Sequence, residues 1–159
     1  MTASMSIINI IQSMLAPGIM ISACGLLLLG MNNKYSLVVQ RIRLLNEEKR
    51  KFISRASDKH FVYEEEVRLK SLATQLKLLH FRARLVRNAV FSYSVAVGLF
   101  VFTSLIIGLA FALKLEYLEA IIIACFSFGM LSVLIGIFFA GYETLRGYQI
   151  ISYEILVDE

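Results

Sequence analysis

Three stretches of the chain carry no Asp, Glu, Lys, Arg or His: residues 2–33, 88–113 and 120–142. Each is at least as long as the roughly 20 residues that a helix needs to cross the hydrocarbon of a bilayer. Between the first and second lies a polar segment, 32–87, whose apolar positions recur at helical spacing. Val38, Ile42, Leu45 and Phe52 form one stripe, and Leu69, Leu72, Leu76, Leu79, Ala83 and Val86 form another. Paired stripes of this kind predict two helices packed in coiled-coil fashion. The turn is expected near 55–60, with Ser57 and Asp58 offering an N-cap and Glu64, Glu65 and Glu66 favourably placed in the turns that follow. The pattern therefore predicts an all-α integral membrane protein with three transmembrane helices and a helical hairpin between the first and second. Its parts are an N-terminal interfacial helix and first span (1–31), the hairpin (32–87), the second and third spans (88–142) and a C-terminal tail (143–159).

The ends of the apolar segments are less regular. Pro17 and Gly18 are expected to separate two pieces, giving an interfacial helix followed by a span, or else a kinked first span. No positive charge precedes the first apolar run, unlike a signal peptide. The run continues through residues 25–30 beyond Cys24, unlike a processed lipoprotein. In the third span Cys125, Gly129, Ser132, Gly136 and Ala140 follow one another at intervals of four, three, four and four, so all lie on one face. Small residues at that spacing let helix backbones approach closely, and this face is expected to drive assembly of copies. The turn at 114–119 is too short for a domain, which makes the second and third spans an antiparallel pair. After Gly147 the tail fits a short amphipathic helix, although its alternation also fits a strand.

Charge orients this arrangement. Fourteen of the sixteen Lys and Arg residues fall within 32–87, against six acidic residues, leaving that segment at +8 and the remainder at −4. A basic loop between spans is what the positive-inside rule expects of a cytoplasmic segment, so the basic pI is accounted for without nucleic acid. The N-terminus is then outside a bacterial plasma membrane, and 32–87 and the C-terminus are cytoplasmic.

Candidate chemistry is sparse. His60 and His80 have no metal-ligand spacing with each other or with a cysteine, and Cys24 and Cys125 both lie within spans. No phosphate-binding glycine loop, nucleophile elbow or intramembrane carboxylate pair occurs, so neither an enzyme nor a cofactor or metal site is expected.

Two resemblances add to this reading. Pro17, Gly18, the small-residue first span, and Asn32, Asn33, Lys34 and Tyr35 leading to the run Arg41 to Leu45 resemble a family of small three-span bacterial membrane proteins known as a domain of unknown function. The run Leu37 to Asn46 and the run Leu118 to Ile122 are similar to the exit of the first helix and the entrance of the third in the TolQ, ExbB and MotA group. Members of that group are ion-channel subunits of motors driven by the proton-motive force. Where that group has a threonine in its third span this chain has Ala124, with Cys125 and Ser127 nearby. The resemblance implies a homo-oligomer, a pentamer in that group, conducting ions only with a single-span partner that carries an intramembrane carboxylate. Thr103, Ser104 and Ser127 would line the path and Glu119 would sit at its outer mouth. The alternative is a scaffold or lipid-organising protein without transport, in which Lys34, Arg41, Arg43, Arg82, Arg84 and Arg87 engage anionic headgroups at about 1 kcal/mol each.

Overall fold

In the computed structural model, which describes residues 2–56, 63–113 and 118–157, the chain forms three helices: α1 (Thr2–Ala56), α2 (Tyr63–Leu113) and α3 (Glu119–Val157). There is no strand among the described residues. All three helices are long and apolar enough to cross a membrane, which makes this a small three-span membrane protein. The expected hairpin turn at 57–60, with Ser57, Asp58 and His60, and most of the turn at 114–119 lie outside the described residues.

Of the two arrangements expected at Pro17 the separate interfacial helix is corrected, and so is the expectation for the tail. α1 runs through Pro17 without interruption, and the ring is buried. Breaking a helix within a bilayer would strand several backbone polar groups at several kcal/mol each, whereas one interior proline costs about 3 kcal/mol. The tail is neither a separate helix after Gly147 nor a strand, because α3 continues to Val157. No proline follows the third apolar run, and nothing in the sequence there stops the helix.

The chain divides into two compact units, the first comprising Met1–Met31 with Asn88–Phe138 and the second Asn32–Arg87 with Phe139–Glu159. In the first unit, Ala89, Tyr93, Ala96, Phe100, Thr103 and Ile107 of α2 are all buried, at alternating intervals of four and three. Such a stripe keeps one face of a helix against its neighbours. α3 answers with Gly129, Val133 and Gly136, which are also buried. A Cβ added at Gly129 would lie 2.7 Å from Phe100 Cε1, and one at Gly136 would lie 2.6 Å from Tyr93 Cε1. Each glycine is thus a socket for an aromatic ring, and the two sockets are seven residues apart on both helices. Phe100 also meets Phe126 with ring centroids 5.5 Å apart at 55°, a tilted aromatic pair. Ser132 Oγ donates to the Ser92 carbonyl at 2.8 Å, tying α3 to α2 in the apolar interior.

In the second unit Val38, Ile42 and Leu45 of α1 and Leu72, Leu76 and Leu79 of α2 form one apolar cluster, with Phe52 and Ala83 packed against it. Outside this cluster Arg68 Nη2 donates to Glu48 Oε1 at 3.1 Å across the same pair of helices.

Candidate functional site

The small-residue stripe of α3 extends beyond the apolar run. After Gly136 and Ala140 the same register reaches Glu143 and then Gly147, at further steps of three and four. Glu143 therefore occupies a face that is otherwise given to small side chains, and its own side chain is 2% exposed. Burying a carboxylate is costly unless opposite charge and hydrogen bonds accompany it. Both do so here. Arg82 of α2 donates to Glu143 Oε1 through Nη2 at 2.7 Å and Nε at 3.1 Å. Lys34 of α1 donates through Nζ to Glu143 Oε2 at 3.4 Å and to Thr144 Oγ1 at 3.3 Å. The Thr144 hydroxyl in turn donates to the Ala140 carbonyl at 3.0 Å. Each carboxylate oxygen is thus engaged by a cation from a different helix.

Gly147, one turn beyond Glu143, leaves the room that this arrangement needs. A Cβ there would lie 3.0 Å from Arg82 Nη2 and 3.3 Å from its Cζ. The guanidinium therefore lies against bare backbone while it reaches back to the carboxylate. The Arg82 side chain is 24% exposed and that of Lys34 is 48% exposed, so the carboxylate is the deeply buried member and Lys34 stays largely hydrated. Nearby, Arg146 donates to the Tyr142 hydroxyl at 2.9 and 3.1 Å, with its guanidinium 5.4 Å from the ring centroid. A carboxylate held this way by two cations is neutralised in place, which suits a structural clasp across three helices better than a general base or a nucleophile.

Of the headgroup candidates, Arg82 is reassigned: its guanidinium is turned inward to Glu143 because that carboxylate would otherwise be buried without a partner. Lys34 is shared between Glu143 and solvent. Arg41, Arg43, Arg84 and Arg87 have exposed side chains, and Arg41 also has an interaction partner within the chain. Gly129 and Gly136, expected to join copies of the chain, are met within the chain by Phe100 and Tyr93. Cys125, Ser132 and Ala140 on that face are half-buried.

The four path candidates differ in exposure. Thr103 is buried and its hydroxyl donates to the Leu99 carbonyl at 2.8 Å, one turn back on its own helix. Ser104 is half-buried, whereas Ser127 and Glu119 are exposed. Among the described residues no three His, Cys, Asp or Glu side chains are grouped to hold a metal, and Cys24 and Cys125 are free thiols. Glu143 is absent from the sequence candidates because it follows the charge-free run and is assigned to the tail. The signal that points to it is the continuation of the small-residue register through 143 and 147.

Neither a curated protein nor a solved structure matches the chain. A family match does cover most of it: residues 14–153 fit the family described as "Protein of unknown function (DUF2721)", and they include all three members of the Lys34, Arg82 and Glu143 clasp. With 140 of its 159 residues inside that match, the chain belongs to this family of small membrane proteins.

Proposed function

We propose that this protein is a structural scaffold of the bacterial plasma membrane, with its N-terminus outside and residues 32–87 and the C-terminus in the cytoplasm. In this reading the hairpin is a stiff basic projection held to α3 by the Glu143 clasp, and exposed Arg43 and Arg87 engage anionic headgroups. The topology is supported by the concentration of fourteen Lys and Arg residues within 32–87. One observation carries the choice of scaffold over conduit. The α2 and α3 interface is filled by Phe100 and Tyr93 seated on Gly129 and Gly136, and the buried Thr103 hydroxyl is committed to its own backbone. A hydrated path needs polar groups turned toward a shared space. The test is proton and sodium flux through liposomes containing the purified protein. Flux no greater than that of empty liposomes is expected, and sustained flux from the protein alone would overturn the scaffold reading.

A second reading is favoured by the exposure of Ser127 and Glu119 on the outside of α3. A path lined by them would have to form between copies of the chain, or against a partner helix bearing a carboxylate, in the manner of the TolQ, ExbB and MotA group. Flux appearing only with such a partner would support it.

A further inference from the structure

A groove of about 560 Å3 lies between α1 and α2 in the second unit, well within the size range of small-ligand sites. Asn46 and Lys49 line it from α1, while Lys77, His80, Phe81 and Arg84 line it from one face of α2. Its floor includes Leu76, part of the apolar cluster beneath. Among the described residues no carboxylate lines the groove. Among the described residues, Lys49, Lys77 and Arg84 have no ion pair. The nearby Glu48 is engaged by Arg68, and Arg82, two residues before Arg84, is committed to Glu143.

Three cationic side chains therefore line one concave surface with no counter-charge among the described residues, together with an imidazole and a side-chain amide. Like charges lining one groove repel, and a bound anion relieves that repulsion. The donor set suits phosphate: a guanidinium fork for two oxygens, two ammonium groups as point charges, and neutral donors for the remainder. The adjoining Phe81 ring and Leu76 supply an apolar wall that an inorganic ion would leave unused, so the ligand carries a carbon skeleton. We propose that this groove binds a phosphorylated organic anion. The phosphate comes either from a soluble organophosphate or from the headgroup of an acidic lipid.

The test uses the full chain in nanodiscs and follows the ring resonances of His80 by NMR. ATP is titrated into nanodiscs of phosphatidylcholine, and separately the discs are made with added phosphatidic acid. A selective His80 shift with ATP in neutral discs identifies a soluble ligand; one that needs phosphatidic acid identifies a lipid headgroup. Either outcome supports the site. The Lys49→Gln, Lys77→Gln double variant is expected to weaken the response about tenfold, which corresponds to about 1.4 kcal/mol. The Lys51→Gln, Lys70→Gln variant removes the same charge from exposed positions outside the groove and is expected to stay within about twofold. Equal weakening in the two variants, or no selective His80 response to either probe, would overturn the proposal.

Discussion

The Arg82 guanidinium donates both Nε and Nη2 to a single oxygen of Glu143, at 3.1 and 2.7 Å, while resting against the bare Cα of Gly147. The other oxygen of Glu143 is left to Lys34. One acidic side chain thereby fixes the mutual placement of α1, α2 and α3 within the second unit. Gly147 is part of the same device, since a side chain there would press on the guanidinium. Gly147→Leu is expected to displace Arg82 and lower the thermal midpoint of the purified protein by several degrees. An unchanged midpoint would show that Arg82 can reach Glu143 by another route.

The glycine sockets of the first unit make a prediction that depends on position. At most helical sites Gly→Ala is stabilising by up to about 1 kcal/mol. At Gly129 and Gly136 the new methyl would lie 2.7 and 2.6 Å from Phe100 and Tyr93, rings too buried to swing aside. Overpacking of this kind costs about 1–3 kcal/mol. Gly129→Ala and Gly136→Ala are therefore expected to destabilise the protein in detergent, whereas Gly108→Ala, which would meet nothing within 4 Å, is expected to be neutral or stabilising. Equal effects at all three sites would remove the intrachain sockets from the account.

In the second unit Leu72 is fully buried within the cluster shared by α1 and α2. Leu72→Ala is expected to cost about 2–5 kcal/mol through lost burial and the cavity left behind. Faster proteolysis between α1 and α2 would report it. The exposed neighbour Leu78, replaced in the same way, should leave the cleavage rate nearly unchanged.

Much of this architecture was legible in the sequence, and the parts that were not share a physical reason. Runs without charge are long enough to identify three helices, and the stripes of Val38, Ile42 and Leu45 and of Leu72, Leu76 and Leu79 carry the spacing of the cluster they form. Both features are local in sequence. The clasp joins residues 61 positions apart, and its formation depends on the register between α2 and α3, which no local pattern contains. Arg82 is one basic residue among many in a segment whose charge is explained by topology, so its inward turn has no local signature. Likewise, several aromatic residues of α2 could seat a glycine of α3, and only the packed helices select Tyr93 and Phe100. Pro17 misleads for the opposite reason: its local preference is outweighed by the cost of exposing backbone groups in lipid.

Thr103 separates packing from conduction. Its hydroxyl already bonds the Leu99 carbonyl, so Thr103→Val removes one internal bond and keeps the shape. A stability change within about 1 kcal/mol is expected. If a partner-dependent flux is ever reconstituted, this variant should not alter it, and suppression would place Thr103 on the path.

The clasp itself is tested most directly by a double-mutant cycle at Arg82 and Glu143, read as the unfolding free energy of the purified protein. Removing one member of a buried ion pair typically costs about 3–5 kcal/mol because the other charge is left without a partner, while replacing both by apolar residues is often neutral. Arg82→Met and Glu143→Leu are each expected to destabilise strongly. The double variant is expected to recover most of the loss, since Lys34 is hydrated enough to remain without its carboxylate. Single variants as stable as the parent protein, or a double variant whose loss equals the sum of the two, would contradict the conclusion that this pair holds α2 to α3.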